Sequence, residues 1–170
     1  MSFQLERLDA GHPVASFCSG DHADGAAIDL FLREQAAVEQ AAGWSATTVA
    51  IDRQAANASD LIVGFFTLSP LSLRADPAVL RALGVGAAYP QAGGYLLGRL
   101  GVAVQWQGQG LGRLLLERAI DAACHARVQT GGVFLAIDAK NERLVAWYLG
   151  LGFGLVRLSA DRPRLVMRLP

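Results

Sequence analysis

The sequence predicts a domain of the α/β or α+β class, with helices inserted between the strands of one sheet. Three observations lead there. Short runs rich in β-branched and aromatic residues recur along the chain, and four stretches carry a helical spacing of apolar residues. The 170 residues are 52% apolar and 18% charged, enough to bury one core and too apolar for a disordered chain. The whole of residues 1–170 therefore reads as a single domain.

Residues 3–8 (FQLERL) alternate and predict a first strand. A polar loop follows to Gly25, and Asp24 is placed to cap a helix over residues 26–42, stopped by Gly43. Its expected core face is Ile28, Phe31, Leu32 and Val38, with Arg33 and Glu34 outside. Residues 47–52 (TTVAID) and 61–68 (LIVGFFTL) predict an antiparallel pair across the turn RQAANASD. Asp76 and Pro77 form a cap and first turn for a short helix to about residue 83, followed by a loop, GVGAAYPQAGG. Residues 95–104 predict a strand buried on both faces, and residues 110–128 the longest helix. A strand over 133–138, a helix over 141–149 ended by Gly150, and strands over 153–158 and 164–169 close the chain.

No apolar run approaches the roughly 18 residues of a membrane helix, so no membrane association is expected. The opening MSFQLERLDAGHP has neither a basic start nor an apolar stretch, which predicts no secretory signal. Cys18 and Cys124 show no metal or disulfide spacing, and a reduced, cytoplasmic setting is the simplest expectation. His12 and His22 lie in a polar loop without ligand spacing, so no metal is assigned. Net charge is zero, yet residues 1–97 carry 5 basic and 10 acidic side chains and residues 98–170 carry 10 and 5. That field favours an anionic ligand in the second half.

The chemistry-bearing stretch is LLGRLGVAVQWQGQGLG, a strand running into a glycine turn and then the long helix. Glycines at 108, 110 and 112 permit positive φ and close approach of a ligand, and the helix start offers unpaired amides to a pyrophosphate. Leu115 stands where a dinucleotide motif would place its third glycine, and no GK[ST] follows, so a mononucleotide P-loop is not expected. On the turn alone, a tight strand-to-helix connection without a ligand remains the other reading.

Two spaced signatures then carry a resemblance. Gln107-x-x-Gly110-x-Gly112 resembles the Q/R-x-x-G-x-G/A motif of the GNAT N-acetyltransferases, between a central strand and a long helix. About 30 residues on, Asn141, Tyr148 and Gly152-Phe153 resemble that family's N-x₆-Y-x-x-x-G-F block, with Leu144 where an alanine is common. The resemblance spans essentially the whole chain. It implies a central mixed, mostly antiparallel, splayed sheet of six to seven strands flanked by about four helices, and acetyl-CoA as cosubstrate. The pantetheine would run beside Leu100, Gly101, Val102 and Val104 like an added strand. The pyrophosphate would meet the amides of Gln107, Gly108, Gln109, Gly110, Leu111, Gly112 and Arg113. A bulge near Gly101 would splay the strands, and the Val102 amide would face the oxyanion.

The resemblance places Tyr148 as the acid for the departing thiolate. A thiol has a pKa of about 8.5 against about 10 for tyrosine, so the phenol is protonated at neutral pH and can give its proton to the sulfur. Composition alone would read Tyr148 as a half-buried aromatic beside Trp147. Asn141 resembles a coenzyme-contacting residue, and an N-cap role is equally good physics. No His, Glu or Asp holds a position that marks it as the base for the amine; His125 reads as a surface or packing histidine of the long helix and Cys124 as a core filler.

The first half also resembles the toxin branch of the family, which acetylates the amino group of aminoacyl-tRNA. The matching stretches are Phe17-Cys18-Ser19-Gly20, Leu30-Phe31-Leu32, Trp44-Ser45-Ala46-Thr47-Thr48, Gly64-Phe65-Phe66-Thr67-Leu68-Ser69 and Leu97-Gly98-Arg99-Leu100. Ala46 stands where that branch usually carries an arginine. This resemblance implies tRNA as acceptor, a small antitoxin as protein partner, and a homodimer. Acetylation of a small amine or a protein N-terminus, and a GNAT module binding coenzyme A without turnover, are the other functions the same motifs allow.

Overall fold

A computed structural model describes residues 3–53, 61–74, 76–85, 89–156 and 164–170. It contains seven strands: β1 Gln4–Arg7, β2 Ala46–Asp52, β3 Leu61–Arg74, β4 Gln91–Val102, β5 Phe134–Asp138, β6 Gly154–Val156 and β7 Arg164–Arg168. Its helices are α1 Ala23–Leu30, α2 Ala36–Ala41, α3 Pro77–Ala82, α4 Leu111–Thr130 and α5 Glu142–Gly150. The strand order β1-β2-β3-β4-β5-β7-β6 is mostly antiparallel, with β4 and β5 parallel, as expected for the mixed sheet. The chain divides into two compact units, Met1–Leu68 with Arg99–Ala119, and Ser69–Gly98 with Ile120–Pro170.

In the first unit β1, β2 and the start of β3 pair antiparallel, Gln4 opposite Ile51 and Ala46 opposite Leu68. Their apolar faces meet Phe17, Phe31, Leu32 and Ala36 around Phe65. The first helix begins at Ala23, earlier than expected, because His22 is its cap: its ring Nδ1 accepts from the Gly25 amide at 2.8 Å. Asp24, the expected cap, lies instead in the first turn.

A π-turn over Phe31–Gln35 joins α1 to α2, with the Ala36 amide reaching back five residues to the Phe31 carbonyl. That extra residue rotates the face of everything after it. Ala36 is therefore fully buried and Val38 is 67% exposed, correcting the expected core face. Phe31 and Leu32 are buried as expected, and Ile28 is partly so.

In the second unit β5 pairs antiparallel with β7, and β7 with β6, while the parallel ladder of β4 to β5 runs from Tyr95 to Leu97. Both β3 and β4 are longer than the sequence predicts. β3 continues through Ser69 and Pro70 to Arg74, and β4 begins at Gln91 inside the expected loop. Gly94 belongs there because a Cβ would sit 2.5 Å from the Phe134 carbonyl. α3 starts as expected, with Asp76 Oδ1 accepting from the Ala78 amide and Pro77 in the first turn. Of the turn expected over 53–60, residues 54–60 lie outside the described residues, as do residues 157 and 158 of the strand expected over 153–158.

Candidate active site

The end of β4 is built for close approach. A Cβ on Gly101 would lie 2.7 Å from both the Ile28 Cγ2 and a Phe65 ring carbon. On β3, a Cβ on Gly64 would lie 2.6 Å from Leu115 Cδ1 and 2.9 Å from the Gly101 carbonyl. Both glycines thus let β3, β4 and the start of α4 pack without the roughly 0.5–1 Å of slack a methyl group would demand. Gly101 therefore has a packing reason of its own; in the β2–β3 pair the register shifts between Ala50 and Ile51.

β4 leaves the sheet through one 3₁₀ turn, Val104–Trp106, and residues 107–110 then lie at the surface. Gly108 and Gly110 have φ of +71° and +86°, and an added Cβ would meet nothing within 4 Å at either. Backbone sign and not space requires glycine there. The Leu114 amide makes the first helical bond, to the Gly110 carbonyl at 3.2 Å. The amides of Leu111, Gly112 and Arg113 therefore precede the helical ladder and head a 20-residue helix. Gly110, at the capping position, has no side chain to cover them. Partial positive charge and amides that precede the ladder are the features an anion would meet at such a helix start. The Arg113 guanidinium, 3.1 Å from Glu117, is already shared with a carboxylate on the same exposed face.

The Gln107 side chain, on an exposed residue, is engaged by the protein itself. Its Nε2 donates to the Ser19 carbonyl at 2.7 Å and to the Val102 carbonyl at 3.0 Å. Behind it lies a polar cluster that sequence reasoning missed. Buried Asp29 accepts from the Ser19 amide and hydroxyl through Oδ1, and Arg33 donates to the Phe17 carbonyl at 2.7 Å. Arg33 is exposed, as expected, and from there reaches the Phe17 carbonyl. The available signal was an aspartate on the inner side of a predicted helix, between Ile28 and Phe31.

In the second unit α5 carries Tyr148. Asn141 is its cap, Oδ1 accepting from the Leu144 amide at 3.0 Å, so the capping reading of Asn141 is realised. Val145 and Tyr148, three residues apart, form the buried face. Tyr148 is 6% exposed and packs edge-on against Trp147 at 4.8 Å and Phe153 at 5.6 Å. Burial pushes its pKa up to about 12. Among the described residues its hydroxyl has no hydrogen-bond partner, and no buried side-chain oxygen is sealed without one. A protonated phenol with an uncommitted hydroxyl is the state a proton donor needs.

The histidines are structurally occupied. His12 sits between Glu6 and Asp9, and His125 Nδ1 lies 2.7 Å from the Asp121 carbonyl. Among the described residues no three metal-ligating side chains gather, and no helix is long and apolar enough to cross a membrane.

A profile of the acetyltransferase (GNAT) domain matches residues 55–154, which contain both the glycine turn and Tyr148. The chain belongs to the GNAT acetyltransferase family. As a GNAT acetyltransferase it is an acyltransferase that takes its acetyl group from acetyl-CoA. Solved structures show the same fold at low identity. A form of KacT with one tyrosine changed to phenylalanine is similar at TM-score 0.82 and 22% identity, covering 99% of this chain and 96% of that one. AtaT complexed with acetyl-methionyl-tRNAfMet is similar at TM-score 0.81 and 23% identity, over 98% and 95% of the two chains. AtaTR bound with acetyl-CoA is similar at TM-score 0.80 and 21% identity, over 98% and 94%.

Proposed function

We propose that this GNAT acetyltransferase moves the acetyl group of acetyl-CoA to the α-amino group of an aminoacyl-tRNA, by direct attack in a ternary complex. The observation that carries the transfer chemistry is the open helix start at residues 110–113, reached from β4 through two positive-φ glycines. In this reading the amides of residues 107–113 receive the pyrophosphate, and the backbone of residues 100–104 pairs with the pantetheine. Asn141 contributes to coenzyme contact while capping α5.

The reaction asks little of side chains. The neutral amine attacks the thioester carbon, a C–N bond forms, and the carbonyl pair moves to oxygen, where the Val102 amide stabilises it. Collapse breaks the C–S bond and leaves the electron pair on sulfur, which takes the Tyr148 proton. The nitrogen sheds its extra proton to the phenolate, restoring the phenol. With a pKa of about 12 Tyr148 is a poor resting anion, so this return is strongly downhill.

The acceptor follows from the same economy. An α-amino group, pKa about 7.7–8.0, is substantially neutral near pH 7.5 without a base, whereas an alkyl amine near 10.4 is neutral in only about one molecule in a thousand. Among the described residues none is marked by its position as a base, which favours an α-amine. Two further supports are the structural similarity to AtaT complexed with acetyl-methionyl-tRNAfMet and the excess of 10 basic over 5 acidic residues after position 97. The similarity to an AtaT mutant toxin bound to the C-terminus of the antitoxin AtaR supports an antitoxin as protein partner, and a tRNA acceptor implies action in the cytoplasm. A homodimer belongs to the same proposal. Incubation with labelled acetyl-CoA and either charged tRNA or a panel of small amines and N-terminal peptides tests it. Label should enter the charged tRNA; label confined to small amines or peptides would show that the acceptor is misassigned.

A further inference from the structure

Residues 17–19 are held at every carbonyl. Arg33 Nη2 donates to the Phe17 carbonyl at 2.7 Å, the Val104 amide to that of Cys18 at 2.9 Å, and Gln107 Nε2 to that of Ser19 at 2.7 Å. The Ser19 amide and hydroxyl both donate to Asp29 Oδ1, at 2.9 and 2.7 Å, and Asp29 Oδ2 lies 3.7 Å from Arg33. Asp29 and Ser19 are each 6% exposed. A buried carboxylate is costly unless its lone pairs are filled, so the sequence spends an aspartate, an arginine and a glutamine on three residues of loop.

The other end of the clamp is the peptide joining Val102 to Ala103. Its carbonyl accepts from Gln107 Nε2 at 3.0 Å and its N–H donates to the Val63 carbonyl at 2.9 Å. Both polar atoms of that peptide are thus fixed, one residue beyond the amide assigned to the oxyanion. One side-chain amide, Gln107, ties it to residues 17–19, while the Gln107 backbone opens the anion-binding turn.

We infer that Asp29, Ser19 and Gln107 form a positioning clamp that sets the end of β4 for the chemical step, and that Gln107 acts through its side chain on the protein and not on the coenzyme. These are positioning residues; none touches the reacting atoms. The inference rests on the acetyl-transfer reading above. The clamp governs turnover more than coenzyme affinity, because the amides of residues 108–113 stay in place without it. A displacement of a fraction of an ångström at an oxyanion donor costs on the order of tenfold in rate.

Steady-state kinetics of Gln107→Leu, Gln107→Arg and Asp29→Ala in the full chain test this, alongside amide hydrogen exchange at Ser19 and Ala103. Gln107→Leu keeps the volume and removes the donor; kcat should fall about tenfold with the KM for acetyl-CoA within about threefold. Gln107→Arg restores donors to both carbonyls and should recover most of the loss. Asp29→Ala should reproduce the kcat defect and speed exchange at Ser19. A rise in acetyl-CoA KM with unchanged kcat in Gln107→Leu would overturn the clamp and return Gln107 to coenzyme binding. Should the unsubstituted protein transfer acetyl to no acceptor, the reading of function fails by itself. The clamp is then decided by exchange: unchanged protection at Ser19 and Ala103 in Gln107→Leu and Asp29→Ala would sink it.

Discussion

At the scale of single residues, the glycines of this chain divide into two kinds that respond to the same substitution for different reasons. Gly110 has open space and a φ of +86°, so Gly110→Ala is expected to cost about 1–2 kcal/mol of backbone strain and to weaken acetyl-CoA binding through the helix start. Gly101→Ala meets Ile28 and Phe65 at 2.7 Å and is expected to cost about 1–3 kcal/mol by overpacking. Denaturant unfolding of both, with calorimetric titration of acetyl-CoA, separates the two; affinity should fall for Gly110→Ala beyond what its stability loss explains. Positions 108, 110 and 112 were legible in the sequence because glycine spacing is a local signal. The bond of the Gln107 side chain to the protein was not, since its partner Ser19 lies 88 residues earlier and no local pattern announces it.

Tyr148 makes a second residue-scale prediction. Tyr148→Phe keeps the ring packed against Trp147 and Phe153, so coenzyme affinity and fold should persist while kcat falls about 10²–10⁴-fold. The pH dependence follows from its raised pKa. Ionisation is easier in the unfolded chain, near 10, than in the folded one, near 12. Its contribution to stability is therefore complete below pH 10 and is lost as pH rises from 10 through 12. Unfolding midpoints should drop over that window in the unsubstituted protein and drop less in Tyr148→Phe; equal curves would remove Tyr148 as their source.

At the scale of elements, helix starts were read well where the cap is a common Asp or Asn, and missed at α1, where His22 is the cap. Asp76-Pro77 and Asn141 cap as their types predict. Asn141→Ala should lower stability by about 1 kcal/mol and Asn141→Ser should restore it, read as shifts in the thermal midpoint. The π-turn at Phe31–Gln35 defeated the periodic reading, because one inserted residue moves Ala36 inward and Val38 outward without altering composition. Val38→Asp should accordingly change stability by less than about 0.5 kcal/mol, where a core position would lose several. The long ends of β3 and β4 were hidden by Pro70 and by the glycines at 93 and 94, residues that ordinarily mark turns. Tertiary pairing overrides that local preference.

At the scale of the whole molecule, the fold class and the family were legible because two motifs some 30 residues apart fall in order on the elements that carry them. The acceptor was less so, since it is recognised by surface that no short motif encodes. The charge imbalance along the chain offers a handle. A tRNA acceptor must meet cationic surface, so its apparent KM should rise about tenfold between 50 and 200 mM salt. With the pyrophosphate on backbone amides, as proposed, the KM for acetyl-CoA should move far less. The most direct measurement is mass spectrometry of nuclease-digested charged tRNA after incubation with acetyl-CoA and either the unsubstituted protein or Tyr148→Phe. The account predicts N-acetyl-aminoacyl-adenosine with the former and little with the latter at matched time. An unmodified aminoacyl-adenosine in both, with acetyl-CoA consumed on another amine, would contradict it.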